Sequence, residues 1–177
     1  GEATARELSK FGVKCALFDL NAEKGEAVAS EIGGVFCEAN VTSDESVVAA
    51  FEKARSEIGQ ERILINCAGI ASMNLALMTP PEVTERIMRT NLLGTIFTNQ
   101  IFSPLLIRNK YGTIINFSTI AVSLGLKGES IYVASKAGVE GFSRSLANEL
   151  APFKITVNCI APGPIKTALL KGISDEQ

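Results

Sequence analysis

The sequence contains no histidine among its 177 residues. Because Ser-His-Asp hydrolases need an imidazole to take the proton from serine, this absence excludes that class of enzyme. It also removes a common ligand of zinc, and we therefore predict no metal site. Any proton transfer must use a tyrosine, a lysine or a carboxylate.

Cysteine is scarce, with four in the chain: Cys15, Cys37, Cys67 and Cys159. None of them forms a Cys-x-x-Cys pair, and each lies in an apolar run that is typical of a strand. Metal binding and a disulfide are the alternatives. The pattern favours small buried hydrophobic residues in a reducing compartment.

The sequence also lacks a strong charge bias and a long apolar run. The net charge of −2 leaves no basic patch of the kind that binds nucleic acid. No apolar run reaches the length of about 18 residues that a membrane span needs. With 46% hydrophobic residues, no repeats and no linker, we predict a single globular domain over residues 1–177.

Helix-like and strand-like segments alternate along the whole chain. Apolar strands that alternate with helices predict an α/β fold, with a doubly wound parallel sheet between two helical layers. We expect Asp44 and Thr79 to cap helices, because short polar side chains accept hydrogen bonds from the first helical amides. The predicted strands are 13–19, 35–38, 63–66, 113–117 and 155–160, and the predicted helices are 2–10, 22–32, 45–58, 131–150 and a long one from residue 82.

Tyr132 and Lys136 stand four residues apart in the segment Ser130-Ile-Tyr-Val-Ala-Ser-Lys136. On a helix this spacing places the phenol and the ammonium on one face, one turn apart. A phenol holds its proton up to a pH of about 10, and a neighbouring cation lowers that pKa. The pair is a candidate acid/base, although the spacing also arises by chance where a surface tyrosine packs on a lysine stem.

Small and acidic residues follow two of the predicted strands. Asp19 ends the first strand, where a carboxylate of a dinucleotide-binding fold accepts hydrogen bonds from the adenosine ribose and repels a 2′-phosphate. It therefore favours NAD over NADP, with an ordinary turn aspartate as the alternative. The segment Asn66-Cys-Ala68-Gly69 follows strand 63–66, and its small residues allow a cofactor to approach the backbone closely.

Three further features are candidates for functional groups. Ser118 and Thr119 end strand 113–117, where a hydroxyl could donate to a substrate carbonyl. Pro162 begins a stiff loop after the last strand, and Asn91 lies inside the long helix, where it could break the hydrogen-bond ladder and hold a water. The alternatives are that the two hydroxyls simply cap the end of the strand, that the Pro162 loop is an ordinary turn, and that Asn91 satisfies its own hydrogen bonds locally.

Taken together, these motifs resemble the short-chain dehydrogenase/reductase family in order and spacing over essentially the whole chain. Within it, the chain looks most like 3-oxoacyl-acyl-carrier-protein reductases and short-chain 3-hydroxyacyl-CoA or 3-hydroxysteroid dehydrogenases. The resemblance implies a Rossmann-like fold. It also implies an oxidoreductase that moves a hydride between NAD, or less favourably NADP, and a secondary alcohol or ketone.

The resemblance also implies roles for individual residues. Tyr132 would be the acid for ketone reduction and the base for alcohol oxidation, and Thr119 would polarise the carbonyl. Lys136 would lower the Tyr132 pKa and bind the nicotinamide ribose, while Asn91 would hold a water that links Lys136 to solvent. The implied cofactor-binding residues are Gly1, Asp19, Leu20, Asn40, Val41, Asn66, Ala68, Gly69, Tyr132, Lys136, Pro162, Gly163, Ile165 and Thr167.

The chain departs from the family pattern at two internal positions. The family's serine, 13 residues before the tyrosine, is replaced by Thr119, with Ser118 one residue early. Alternation along the strand points Ser118 to the opposite face, so we predict that Thr119 acts on the carbonyl. Asn40 stands where the family usually has aspartate, and its amide can still contact the adenine.

The ends depart further. Gly1 matches the last glycine of the family's Thr-Gly-x-x-x-Gly-x-Gly phosphate loop, so the family's first strand and its last elements lie outside this sequence. We expect that first strand between those ending at Asp19 and Asn66, and infer that the chain belongs to a longer protein. An intact mass near 18.8 kDa would contradict this. We expect a cytoplasmic protein, with an organelle matrix as the alternative.

Substrate and assembly follow from weaker signals. Ala168-Leu169-Leu170 suggests an apolar lid, compatible with 3-oxoacyl chains, steroids or other lipophilic ketones. The two long helices carry apolar residues on several faces, and related proteins commonly pair these helices within tetramers. We therefore predict a homo-oligomer, either a tetramer or a dimer. A non-catalytic NAD-binding scaffold or sensor is the alternative function. Sugar-nucleotide epimerases and dehydratases are longer and carry a separate substrate lobe.

Overall fold

The computed structural model describes residues 1–165 and residue 169. A wide π-helical turn covers Met88–Leu93, and short 3-10 turns cover Ala76–Met78 and Ala151–Phe153. The strands are β1 (Ala16–Asp19), β2 (Val35–Glu38), β3 (Ile63–Asn66), β4 (Gly112–Phe117) and β5 (Ile155–Ile160). The helices are α1 (Glu2–Ser9), α2 (Ala22–Ile32), α3 (Asp44–Ile58), α4 (Pro81–Ile87), α5 (Gly94–Asn109), α6 (Ala121–Leu124) and α7 (Ser130–Leu150).

All strand pairings in the described residues are parallel. β1 pairs with β2, and β3, β4 and β5 form a second group in that order. Between residues 1 and 165 no strand joins β1 to β3. The opening lies where the family resemblance places a further strand, between those that end at Asp19 and Asn66. Parallel strands connected through helices make this a Rossmann-like α/β fold.

Helices cover both faces of the strands. On β2, Phe36 faces α2, because a methyl group on Gly25 would stand 2.1 Å from its ring. The next residue, Cys37, packs instead with Ala50 and Ala54 of α3. Since neighbouring residues of a strand point to opposite faces, α2 and α3 lie on opposite sides of the sheet. The predicted three-layer arrangement is therefore confirmed.

One hydrophobic core unites the two groups of strands. Phe18 of β1 packs edge-on against Phe51 of α3, with ring centroids 4.8 Å apart. Phe51 belongs to the same buried cluster as Leu64 of β3, Phe102 of α5 and Ile114 of β4. No helix in residues 1–165 combines the length and apolar character needed to cross a membrane.

The predictions that Asp44 and Thr79 cap helices are wrong. Ser43, not Asp44, caps α3, and its hydroxyl accepts from the Ser46 amide at 3.3 Å because Asp44 is already the first helical residue. At α4 the cap position falls on Pro80, and the Thr79 hydroxyl turns back to donate to the Leu75 carbonyl at 3.0 Å. Proline at the start of a helix brings no unpaired amide of its own, so the helix forms without a side-chain cap.

Candidate active site

Tyr132 and Lys136 lie one turn apart on α7 and are both buried, with 8% and 7% of their surfaces exposed. The Lys136 ammonium donates to the carbonyl of Phe117, the last residue of β4, at 2.8 Å. This contact places the pair at the carboxyl edge of the strands, where ligands of open α/β sheets bind.

Burial affects the titration of both members of this pair. Burial raises the pKa of the Tyr132 phenol, the Glu129 carboxylate raises it further, and a hydrogen bond with Thr119 acts in the opposite direction. Burial also lowers the pKa of the Lys136 ammonium, against the effect of the Cys159 and Cys67 thiols. The cost of burying a phenolate therefore dominates the Tyr132 pKa, and its lowering by Lys136 stays a prediction.

Lys136 is a buried cation without a carboxylate partner among the described residues. Burying an ammonium is costly unless it is paired, and within residues 1–165 the Phe117 carbonyl is the only group that accepts a hydrogen bond from it. Such uncompensated groups are concentrated at functional sites. The arrangement fits a lysine that binds the hydroxyls of a ligand, and within residues 1–165 no group of metal-ligating side chains accompanies it.

The two hydroxyls after β4 take different directions. Ser118 is buried and donates to the Glu140 carboxylate of α7 at 2.6 Å. Thr119 lies beside the Tyr132 phenol and also accepts from the Ala121 amide at 3.2 Å. The structure thus brings Thr119 to Tyr132 and turns Ser118 away from it. The sequence did not signal the Ser118–Glu140 bond.

Asn91 lies at 0% exposure in the π-helical turn between α4 and α5. Its amide oxygen accepts from the Ile70 amide at 2.8 Å, and its Nδ2 donates to the Ile70 carbonyl at 2.9 Å and to Ser135 Oγ at 3.0 Å. The backbone ladder changes here from α-helical to π-helical, and the water that Asn91 would hold stays a prediction. Asn91 ties the loop after β3 to α7 directly behind Tyr132.

The loop after β3 lies against the lysine. A methyl group built on Gly69 would stand 3.4 Å from Asn91 Oδ1 and 3.5 Å from Lys136 Nζ. The neighbouring Ala68 is exposed, and Gly1, at the start of α1, lies near Cys67 of the same loop. The space over Gly69 fits a cofactor that approaches the backbone closely on its way to Lys136.

Asn66 faces inward rather than toward this loop. Its Nδ2 donates to Asn116 Oδ1 at 2.8 Å, and its Oδ1 accepts from Thr98 at 2.8 Å. Asn116 in turn donates to Ser143 of α7 at 2.8 Å. Only the main chain of Asn66 is left to line a cofactor, and this buried polar network is not visible in the sequence.

The residues expected around the adenosine end lie beside β1 and β2. Asp19 is exposed, and its Oδ1 accepts from the Asn21 amide at 2.9 Å, with Leu20 exposed next to it. The Asn40 Oδ1 atom accepts from the Thr42 backbone amide at 3.0 Å and from the Thr42 hydroxyl at 2.7 Å. Val41 packs on α5, where a methyl group on Gly94 would meet its Cγ2 at 2.9 Å.

The loop after β5 lies next to Thr119. The Ile120 amide donates to the Pro162 carbonyl at 3.1 Å, and the space over Gly163 is bounded by the Ile120 side chain at 3.5 Å. Ile165 is exposed. The predicted contacts of Thr167, and the positions Ala168 and Leu170 of the expected lid, lie outside the described residues.

Comparison with known proteins shows which family this arrangement belongs to. The profile of the short chain dehydrogenase family matches residues 1–177. The chain belongs to the short-chain dehydrogenase/reductase family. It is therefore an oxidoreductase, and its nicotinamide cofactor supplies the hydride chemistry.

Several relatives of this short-chain dehydrogenase/reductase are named 3-oxoacyl-(acyl-carrier-protein) reductase. It is 35% identical to a 3-oxoacyl-(acyl-carrier-protein) reductase of Bos taurus, covering 99% of this chain and 75% of the relative. It is 38% identical to the enzyme of that name from Haemophilus influenzae, covering 100% and 74%. Nodulation protein G of a Rhizobium species is 36% identical, with 100% and 73% covered.

Proposed function

We propose that residues 1–177 form one nicotinamide-binding domain that interconverts a secondary alcohol and a ketone. Tyr132 exchanges the proton on the substrate oxygen, and Thr119 donates to that oxygen as negative charge develops on it. The observation that carries this proposal is the buried Tyr132 phenol beside Thr119, one helical turn from the buried Lys136. The bound nicotinamide supplies or accepts the hydride.

The surroundings of Tyr132 are compatible with ketone reduction. Burial and Glu129 both raise the pKa of its phenol and so favour the protonated form that a ketone reduction consumes. Lys136 orients the nicotinamide ribose. Asn91, fixed by Ile70 and Ser135, keeps this part of the site in register and holds a water on the path from Lys136 to solvent.

For the cofactor we propose NAD(H) rather than NADP(H). Asp19 is exposed at the end of β1 and engages the Asn21 amide through one oxygen, so the other oxygen can accept from a ribose hydroxyl. A carboxylate there repels a 2′-phosphate. The 3-oxoacyl-carrier-protein reductases usually use NADPH, so a kcat/KM measured with each cofactor tests the proposal. A preference for NADPH would contradict it.

As the substrate we propose a 3-oxoacyl thioester or a similar lipophilic ketone. Ile120, Leu124 and Leu126 are exposed around Thr119 and the start of α7, and Ile165 is exposed on the facing loop. Apolar walls beside a polar reaction centre suit an acyl chain. The names of the relatives point to the same class. Turnover of 3-oxoacyl thioesters against short polar ketones is the direct comparison.

The assembly and the compartment are also proposals. Leu75, Leu77 and Met78 are exposed just before α4, which supports a homotetramer or a homodimer as the working form. Light scattering of the full-length protein tests this, and a monomer at micromolar concentration would contradict it. We propose the cytoplasm as its location, which fractionation of the source cells would check.

Tyr132→Phe tests the proposed chemistry. Removing the hydroxyl leaves the ring and the packing of α7 in place, so the Kd for NADH should stay within about twofold of the parent value. Turnover should fall by about 10²–10⁴, the usual contribution of a general acid. Tyr111→Phe, at an exposed tyrosine outside the site, is the matched control. Near-normal turnover of Tyr132→Phe would show that another group supplies the proton.

A non-catalytic NAD-binding scaffold or sensor is the second candidate. Threonine at the family's serine position motivates it, because a change at a proposed catalytic hydroxyl is compatible with lost turnover. The same titrations separate the two functions. NADH binding without turnover of any ketone or alcohol, in either direction, would support the scaffold.

A further inference from the structure

Three consecutive residues at the end of β4 each bond to α7. Asn116 Nδ2 donates to Ser143 Oγ at 2.8 Å, the Phe117 carbonyl accepts from Lys136 Nζ at 2.8 Å, and Ser118 Oγ donates to Glu140 Oε1 at 2.6 Å. Three contacts in a row set the register between the strand and the helix.

The Ser118–Glu140 contact is the one next to the proposed reaction centre. Ser118 is 4% exposed, and among the described residues the only other partner of its hydroxyl is the Lys136 carbonyl, at a long 3.5 Å, while its amide donates to the Ile160 carbonyl at 2.7 Å. A hydroxyl that donates to a carboxylate makes a short, strong bond, so the carboxylate fixes the Ser118 side chain, whose backbone is already paired with β5. Thr119 follows Ser118 directly, and its side chain therefore depends on the same anchor.

Glu140 lies on the face of α7 that also carries the proposed catalytic groups. Tyr132, Lys136 and Glu140 follow each other at intervals of four residues, so they stack along one side of the helix. The first two reach the substrate side, whereas Glu140 reaches back to the segment that presents Thr119. One rigid helix therefore holds both the acid and the anchor for the second hydroxyl.

We propose that Glu140 is a positioning residue, which fixes the distance between the Thr119 hydroxyl and the Tyr132 phenol by holding Ser118. This inference rests on the proposed function, since it concerns the geometry of that proton transfer. Glu140 does not touch the proposed substrate position. Its carboxylate instead borders a surface cavity of about 310 Å³, which Arg144 and Cys159 also line.

Among the described residues no ion pair joins Glu140 to Lys136. The groups that shift the Lys136 pKa beside its burial are the Cys159 and Cys67 thiols, not Glu140. Glu140 acts on Cys159, whose pKa it raises. The contact that leads from Glu140 toward the reaction centre is therefore the hydrogen bond from Ser118.

The first test compares Glu140→Ala with Glu140→Gln in the full-length protein. Glutamine keeps an oxygen that can accept from Ser118, whereas alanine removes it. We expect Glu140→Ala to lower kcat for ketone reduction by about 10- to 100-fold, because small misplacements of reacting groups cost this much. The substrate KM and the Kd for NADH should change by less than about threefold, and Glu140→Gln should recover most of the activity.

Glu149→Ala is the matched control, since Glu149 is an exposed glutamate on the same helix. Its kcat should equal that of the parent. If Glu140→Ala is too unstable to purify, Ser118→Ala removes the same hydrogen bond from the other side and should give the same loss in kcat. A kcat within twofold of the parent in whichever variant is measured would overturn the proposal.

The second test asks whether Glu140 acts through Thr119. In a Thr119→Val background the hydroxyl is already gone, so adding Glu140→Ala should lower kcat by less than about twofold. Losses that multiply in the double variant would show a general structural effect and would overturn the proposal, as would a Glu140→Gln loss equal to that of alanine. Absence of turnover in the parent protein would instead refute the proposed function.

Discussion

Gly69→Ala is the most direct test of where a cofactor meets this protein. The added methyl group would lie 3.4 Å from Asn91 Oδ1 and 3.5 Å from Lys136 Nζ, which are ordinary contact distances. Gly69 is also not among the glycines with a left-handed backbone. The folded chain should therefore accept alanine without displacement, and any effect should come from the space that the methyl group takes.

Gly69→Ala should stabilise the fold but weaken cofactor binding. Replacing a glycine in a compatible loop position stabilises by about 0.4–1 kcal/mol, because the unfolded chain loses freedom. For a chain of this size that raises the melting temperature by roughly 1–4 °C. A cofactor that approaches Lys136 over Gly69 must move away from the methyl group. We expect its Kd to rise at least tenfold, which corresponds to about 1.4 kcal/mol.

Fluorescence titration with NADH and a thermal melt measure the two effects on one sample. Gly141→Ala on α7 is the matched control, because a methyl group there meets nothing within 4 Å. It should leave the Kd unchanged and stabilise the helix by up to about 1 kcal/mol. A folded Gly69→Ala protein with the parent Kd would refute the reasoning, since the cofactor would then not pass over this loop.

Two further predictions concern the groups around the reaction centre. Glu129→Gln removes a negative charge that raises the Tyr132 pKa, so that pKa should fall. Alcohol oxidation needs the phenolate, and its pH–rate profile should therefore move to lower pH; an unchanged or upward-shifted profile would contradict this. Asn116→Ala leaves Asn66, Asn99 and Ser143 without their buried partner, and should cost about 2–5 kcal/mol in a denaturant melt. The exposed Asn158→Ala should change stability by less than about 0.5 kcal/mol, and equal losses in the two variants would refute a special role for the network.

Much of the fold could be predicted because its signals are local. The strands β2, β3 and β5 have the predicted bounds, since each is a short apolar run that lies between polar or glycine-containing segments. The strand predicted from residue 13 is shorter than expected, because Val13 still bonds through its amide to the Leu8 carbonyl at 3.3 Å and so continues the end of α1. The sequence-based prediction also missed α6, which is only four residues long.

The candidate site likewise combines local features that the sequence predicts with long-range contacts that it does not. The spacing of Tyr132 and Lys136 and the alternation that separates Thr119 from Ser118 are local patterns, and both lead to the arrangement that the structure shows. The Ser118–Glu140 bond joins residues 22 apart, and the bond from Asn66 to Asn116 joins residues 50 apart. Such contacts depend on how α7 and α5 pack on the strands, which no local pattern encodes. The direction of the Tyr132 pKa depends on burial, for the same reason.

The wide turn at Met88–Leu93 has a consequence for the surface of the long helical segment. A π turn accommodates one residue more than an α turn, and each residue of an α-helix advances the rotation by about 100°. The exposed face of α5 is therefore rotated by about 100° from the position that it would have if α4 and α5 formed one unbroken α-helix. Shortening the turn by one residue would realign the two stripes and swing Asn91 away from Ile70 and Ser135.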